Sequence, residues 1–292
     1  MSNPTVIVIT GPTATGKTEL GVAMAATLGG EVVSADSMQI YKHMNIGTAK
    51  PTVEETRGVP HHMFDIIEPT TDYSVARYVK DAARCIDDII ARQKQPILVG
   101  GTGLYINSLL AGREFSKRGD KDVRKSLEVE YDTVGGEAML ERLREFDPES
   151  ASKLYANDKK RIVRAIEVYI TTGKTISQHD AESKQIPPRY DSVKLALTFT
   201  DRGRLYERID RRVDNMIAAG LEEEVAGLLK MGVSPDSTAM QAIGYKEMVS
   251  ALNGEIDMTD AIEIIKMESR RLAKRQLTWL RADRAINWII RD

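Results

Sequence analysis

The stretch from Thr5 to Thr18 leaves this chain little choice of fold. Thr5, Val6, Ile7, Val8 and Ile9 are all β-branched and nearly all apolar, the composition of a strand buried on both faces. Gly11, Pro12, Thr13, Ala14, Thr15, Gly16, Lys17 and Thr18 then match Gly-x-x-x-x-Gly-Lys-[Ser/Thr] in full, and Glu19 to Leu28 follows with helix-forming residues. Strand, glycine loop and helix in that order make a phosphate-binding loop. Gly11 and Gly16 allow turns that bring backbone N–H groups to an anion, and the helix starting near Lys17 adds its positive end. Lys17 supplies a point charge to terminal phosphates, and the Thr18 hydroxyl suits a Mg2+ ion. The loop leaves the polyphosphate open, because ATP, GTP and a lipid diphosphate present the same oxygens.

The next segments alternate between strand and helix. Glu31 to Ala35 reads as a second strand ending at Asp36 and Ser37. Ligands of open α/β sheets sit beyond the carboxyl ends of strands, so Asp36 falls beside the loop if the two strands are neighbours. There it serves as general base or outer-shell Mg2+ partner; the plainer reading is a helix-cap or turn aspartate. Lys42 and Lys50 lie in a polar loop, either meeting phosphates or simply solvated. Val59 to Ile66 reads as a turn entering a third strand. His61 and His62 are adjacent, and strand neighbours point to opposite faces, so hydrogen bonding is expected of them rather than metal ligation. Ser74 is the expected N-cap of a helix with Tyr78, Ala82, Ile86 and Ile89 at helical spacing. Ile97 to Val99 is a short buried strand. Gly100, Gly101 and Gly103 then frame Thr102 in a turn that either lets a substrate approach or only tightens a strand-to-helix connection. Thr102 is expected within reach of Asp36.

Strand signals vanish between Arg113 and about Tyr190. Helical patterns replace them at Val123–Val134, Ala138–Phe146 and Lys159–Thr172. The charge there is uneven: Arg113 to Lys125 holds six basic residues against three acidic, and Lys153 to Lys174 six against two. Such runs are commonly solvated helix faces, but two in one insertion also suit a phosphate backbone. Val193 to Phe199 reads as a returning strand. The helix after it, to about Ala219, carries Arg208 and Arg212 one turn apart. The pair suits a diphosphate, or pairs within its own helix, as Arg211 would with Asp214. Gln241 to Glu247 runs from loop into helix, Thr259 is the expected cap of a long last helix, and Ala285 to Ile290 reads as a final strand. Trp279 and Trp288 are expected in the core.

Composition narrows the class. With 42% hydrophobic and 29% charged residues over 292 positions, the chain has the make-up of a globular protein. No apolar run approaches membrane-spanning length and no signal peptide is read, so a cytoplasmic protein without membrane attachment is expected. Cys85 is the single cysteine, which excludes an internal disulfide and a cysteine-cluster zinc site; it lies on an apolar helix face and is expected in the core. The net charge of −2 gives no global sign of nucleic-acid binding.

Taken together, Gly11 to Thr18, Ser34 to Lys42, Gly47 to Pro51, Pro60 to His62, Leu98 to Tyr105, Asn157-Asp158 with Arg161 and Arg164, Arg208 to Arg212, Gln241 to Lys246 and Lys274 to Arg281 resemble the tRNA dimethylallyltransferases, also called tRNA isopentenyltransferases. The resemblance spans nearly the whole chain. It implies transfer of a dimethylallyl group from dimethylallyl diphosphate to N6 of the adenosine just 3′ of the anticodon, with diphosphate leaving and Mg2+ assisting. Carried over, the general base falls on Asp36, Thr102 helps place the amine, and Thr13, Lys17, Thr18 and Arg212 bind diphosphate. Contacts to the tRNA anticodon stem-loop fall on Asp36, Ser37, Met38 and Gln39; on Thr102 and Arg124; on Lys160, Arg161, Ile162, Val163 and Arg164; and on Gln241, Ala242, Ile243, Gly244, Tyr245 and Lys246. The fold implied is α/β: a P-loop NTPase-like parallel sheet core, residues 1–112 and 191–292, with a mainly helical inserted domain, 113–190, that binds tRNA. Thr15 stands where serine is usual. The chain resembles the compact bacterial form without a zinc-finger extension, so no zinc and a monomer are expected. The competing readings are a small-molecule P-loop kinase, a prenyltransferase acting on free adenine nucleotides and a non-catalytic RNA-binding module.

Overall fold

The computed structural model describes residues 4–112 and 120–292. Arg113, Lys117 and Arg118, half of the first basic stretch, lie outside the described residues. The chain divides into two compact units, one running to Leu110 and resuming at Arg189, the other taking the residues between.

In chain order the first unit begins with β1 (Thr5–Thr10), α1 (Lys17–Leu28), β2 (Glu31–Ser34), α2 (Val53–Thr56), β3 (His61–His62), α3 (Val75–Ala91), β4 (Pro96–Val99) and α4 (Gly103–Leu110). The second unit holds α5 (Lys121–Val134), α6 (Gly136–Phe146), α7 (Pro148–Ala151), α8 (Lys159–Thr172) and α9 (Ile176–Gln185). The first then closes with β5 (Asp191–Thr198), α10 (Arg202–Ala218), α11 (Leu221–Lys230), α12 (Tyr245–Leu252), α13 (Met258–Arg281) and β6 (Ile286–Ile290).

The six strands form one sheet in the order β3-β2-β4-β1-β5-β6, all pairs parallel. Strand alternation sorts β1 between two cores. Val6 and Val8 pack with Val33, Leu98, Tyr78 and Ile86 under α3 and α4, while Ile9 joins Val32, Ile97 and Ala25 under α1. Burial on both faces explains why these strands are short apolar runs without polar alternation. A separate cluster, including Tyr41, Met44, Val225, Met248 and Ile265, binds the segment after β2 to α11, α12 and α13. Ser74 caps α3, its hydroxyl accepting from the Arg77 N–H. Cys85 on α3 packs partly buried against the core, and burial raises its thiol pKa.

Several expectations are corrected. The condition set for Asp36, that β1 and β2 be neighbours, is not met, since β4 lies between them. The third strand is only two residues long, because Met63 and Asp65 turn into the left-handed region at φ 67° and 52°. Thr259 does not cap the last helix; Asp257 holds that position and Thr259 lies inside α13. Trp279 packs against the core, but Trp288 on the edge strand β6 is exposed. The short α7 and the polar α9 escaped the reading, as did α11.

Beneath the amino ends of β2 and β4, Glu31 is buried against two cations and a histidine ring. Arg92 reaches it at 2.5 and 2.8 Å, Lys94 at 2.8 Å and the His62 ring at 2.7 Å. Arg92 chiefly, with Lys94 and His62, holds the Glu31 carboxyl far below its ordinary range against the cost of burial. His61 bonds to the Val59 carbonyl at 2.8 Å, so both histidines take hydrogen-bonding roles.

The second unit packs Leu127, Leu140, Leu143, Ile162 and Ile166 into its own core. Glu167 is fully buried there, with Arg124 on two edges of its carboxylate at 2.9 to 3.2 Å and Arg164 at 3.0 Å. Among the described residues, no helix is long and apolar enough to cross a membrane.

Candidate active site

A cavity of about 510 Å³ opens above the carboxyl ends of β1, β2 and β4, walled on its far side by α10 and α13. The loop after β1 forms its floor. Gly16 takes φ 84° and Ala14 φ 65°, left-handed turns that aim successive N–H groups into a nest. Among the described residues, the N–H groups of Ala14, Thr15, Gly16, Lys17 and Thr18 find no acceptor. The loop's shape is fixed from behind. Thr15 Oγ1 and Lys17 Nζ donate to the Pro12 carbonyl at 2.9 and 2.7 Å, Arg208 Nε to that of Ala14 at 2.9 Å, and Arg291 to that of Thr15 at 3.2 Å.

Two cations enter this cavity. Lys17 is half-buried, yet removal from water, then the Arg212 charge, lowers its pKa to about 7 against the pull of Asp36. Arg212 also lies below its ordinary value through burial, opposed by Asp36. Neither cation has a carboxylate within ion-pair distance among the described residues, and the acidic residues of α10 beside them pair with α13 instead. Asp210 pairs with Arg270 at 2.5 Å and Asp214 with Lys266 at 2.8 Å. Arg208, one turn from Arg212, braces the loop from outside and stacks over Phe199.

Asp36 reaches the cavity despite the intervening strand because the turn after β4 is glycine at Gly100, Gly101 and Gly103, so the end of β2 can pack closely against it. A Cβ on Gly100 would lie 2.2 Å from the Ala35 carbonyl oxygen. One on Gly101 would lie 2.4 Å from Gln276 Nε2, and one on Gly103 2.4 Å from the Trp279 ring. These glycines make room for the chain's own atoms, which supports the tight-connection role, while Gly100 and Gly101 also line the cavity. Asp36 Oδ1 accepts from the Met38 N–H at 2.8 Å and weakly from that of Gln39. Thr102 Oγ1 accepts from the Ser37 N–H at 3.1 Å, and the Thr102 N–H donates to Ala35, tying the two strand ends together. A carboxylate and a hydroxyl therefore share one wall, opposite a phosphate loop with two unpaired cations.

The expected site residues divide. Thr13, Ala14, Gly16, Lys17 and Thr18 line the cavity, with Asp36, Ser37, Met38, Gln39, Thr102 and Arg212. Gly11, Pro12 and Thr15 are buried behind the loop. Gln241, Ala242, Ile243 and Gly244 line the cavity, but Tyr245 is buried, its hydroxyl donating to Glu224 at 2.6 Å, and Lys246 is exposed beside Glu247. Gln39 spends its amide on Ser34, Thr48 and Ala49. In the second unit Lys160 and Arg161 are exposed, whereas Ile162 and Val163 are core residues whose side chains are closed to any partner. Arg124 and Arg164 straddle Glu167 and stay partly exposed.

Two supporting residues escaped the sequence reading. Glu224 accepts the N–H groups of Asn45, Ile46 and Gly47 at 2.8 to 3.1 Å, pinning the loop whose Gly47, Thr48 and Ala49 line the cavity. Gln276, on α13, accepts from the Thr13 N–H at 2.9 Å and donates to the Gly101 carbonyl at 3.1 Å. No local signal marks Glu224, and Gln276 lies in the Lys274–Arg281 stretch that carries the resemblance without any role having been read for it.

Parallel sheet, phosphate loop and helical insertion together define a P-loop NTPase-like phosphate-binding protein. The family model for IPP transferase matches residues 39–283, and that for isopentenyl transferase matches residues 4–69. The chain belongs to the tRNA dimethylallyltransferase (IPP transferase) family. It is 51% identical to a tRNA dimethylallyltransferase of Caldanaerobacter subterraneus subsp. tengcongensis over 98% of this chain and 92% of that one. The solved tRNA isopentenylpyrophosphate transferase of Bacillus halodurans is 41% identical, with TM-score 0.73 over 99% of this chain and 90% of its own. A eukaryotic dimethylallyltransferase, solved acting on tRNA, is 32% identical, with TM-score 0.80 over 95% of this chain and 70% of its own.

Proposed function

We propose that this chain transfers the dimethylallyl group of dimethylallyl diphosphate to N6 of the adenosine 3′ to the anticodon in tRNA, releasing diphosphate. The observation that carries the proposal is the opposition of Lys17 and Arg212, cations without carboxylate partners, to Asp36 and Thr102 across one cavity. A leaving diphosphate needs the first pair. An adenine amine needs the second, because its lone pair is delocalised into the ring and it attacks well only while losing a proton.

In this reading the N–H groups of Ala14 to Thr18 and the charges of Lys17 and Arg212 bind the diphosphate and stabilise the charge it gains. The N6 lone pair forms a bond to the allylic carbon as the carbon–oxygen bond breaks, its electron pair passing to diphosphate. The N6 proton goes to the Asp36 carboxylate, whose Oδ1 is aimed by the Met38 N–H. Thr102 places the amine. The purine leaves its stack to enter, as substrates of other base-modifying enzymes do.

Magnesium suits the donor set at Thr18, whose hydroxyl lines the cavity near Lys17. Among the described residues, no three His, Cys, Asp or Glu side chains gather to hold a metal. Mg2+ would therefore rest on Thr18, diphosphate oxygens and water, its usual small protein share. Bound there, it would neutralise charge on the leaving group.

For tRNA, Lys160 and Arg161 are exposed and have no ion-pair partner among the described residues, and Arg124 with Arg164 against one Glu167 leave one positive charge in excess at that point of the second unit. A small-molecule kinase has no evident use for such a unit. Incubating the protein with tRNA and labelled dimethylallyl diphosphate, then digesting the tRNA to nucleosides, tests the proposal. Label on an adenosine is expected. Turnover of ATP with no label in tRNA would refute it.

A further inference from the structure

Gln276 stands outside the loop motif, yet its amide makes the one side-chain bond that any backbone N–H of the loop donates among the described residues. It reaches from α13 to Thr13, 263 residues away, and with its other end holds the Gly101 carbonyl. Both ends are complementary, Oε1 to an N–H and Nε2 to a carbonyl, so the orientation of the amide is determined. Glutamate would face the Gly101 carbonyl with a second acceptor, and leucine would satisfy neither group. Gly101 admits the amide, since a Cβ there would meet Nε2 at 2.4 Å.

The consequence concerns how many phosphates the loop can receive. Pro12 has no N–H, and that of Thr13 is engaged by Gln276, so neither residue offers an incoming anion a backbone donor. The free donors begin at Ala14 and run to Thr18, beside Lys17. Gln276 and Thr13 both line the cavity, so the amide occupies the ground in front of the capped N–H.

We propose that Gln276 is a positioning and specificity-determining residue, which caps the Thr13 N–H and fills the place a third phosphate would need, restricting the cradle to a diphosphate. This rests on the reading of the loop as the diphosphate site. Removing the amide frees both the donor and the space, so a triphosphate gains where a diphosphate loses its pre-arranged loop.

The test uses the full chain with tRNA and dimethylallyl diphosphate, and inorganic diphosphate and tripolyphosphate as competing inhibitors. The wild type should prefer diphosphate. Gln276→Ala should shift the ratio of inhibition constants toward tripolyphosphate on the order of tenfold, the worth of one hydrogen bond to a charged group, and raise KM for the donor more than it lowers kcat. Gly101→Ala, which pushes aside only the far end of a flexible side chain, should shift the ratio the same way and carries the test if Gln276→Ala does not fold. An unchanged ratio in a folded, active variant, or a rise in KM for tRNA alone, would overturn the assignment of Gln276. If neither polyphosphate competes with the donor in the wild type, the diphosphate site itself falls, and this inference with it.

Discussion

Lys17 and Arg212 repel each other in a cavity where, among the described residues, neither meets a carboxylate at ion-pair distance. An anion bound between them relieves that repulsion, and this gives Lys17 a pH signature. Its folded pKa near 7 lies within working range. A bound diphosphate favours the protonated amine and raises that pKa. Affinity for inorganic diphosphate through Lys17 is therefore full below about pH 7 and declines as pH rises through it. Calorimetric titrations across pH 6 to 9, on the order of the range where this amine titrates, should show the falling limb and proton uptake on binding. Lys17→Met should bind more weakly and lose the limb. A wild-type affinity independent of pH would mean that Lys17 does not face the anion.

At the scale of elements, the sheet depends on close approaches that no local pattern announces. Gly100→Ala would drive a Cβ into the Ala35 backbone, which cannot swing away as a side chain can, so β2 and β4 must part at the end that carries Asp36. Loss of transfer with retained helical content is expected, read by activity and circular dichroism. At the opposite end of the sheet Glu31 ties β2 to β3 through His62 and to the connection between α3 and β4 through Arg92 and Lys94. Glu31→Gln leaves Arg92 and Lys94 without their carboxylate, and since both are half-exposed, a loss on the order of 2 kcal/mol is expected in denaturant melts. The Glu31 carboxyl is depressed in the folded state. Its contribution is thus present above the unfolded value of 4.5 and is lost as pH falls below it, so the variant should differ least from the wild type in acid.

Much of this element layer was legible in the sequence. β1, the loop and α1 are contiguous, and strand, turn and helix signals lie within a few residues of one another. Ser74 announced α3 for the same reason. The position of β4 between β1 and β2 was not legible, because strand order depends on packing between distant segments. Nor was the hold of Gln276 on Thr13 or of Glu224 on Gly47, contacts separated by 263 and 177 positions. Arg124 and Arg164 read as free basic residues because nothing nearby in sequence shows that Glu167 is buried between them.

The whole molecule pairs a catalytic sheet with a helical unit that has its own core. Chain connectivity makes the second unit an insertion between α4 and β5, so tRNA binding and transfer should be separable by mutation. Lys160→Glu with Arg161→Glu should weaken tRNA binding and lower its salt dependence by about one or more in slope, because both side chains are exposed. Arg164 is left intact in that test, since its bond to Glu167 belongs to the fold of the unit. Equal affinity and slope would count against this surface. The account as a whole rests on Asp36 taking the amine's proton while the loop takes the diphosphate, and Asp36→Asn addresses it most directly. Asparagine keeps an oxygen for the Met38 N–H and removes only the base. Rapid-quench single turnover, with tRNA and labelled dimethylallyl diphosphate both bound, should be slower by roughly a hundredfold or more, with the affinities for both substrates little changed. A single-turnover rate equal to that of the wild type would contradict the account.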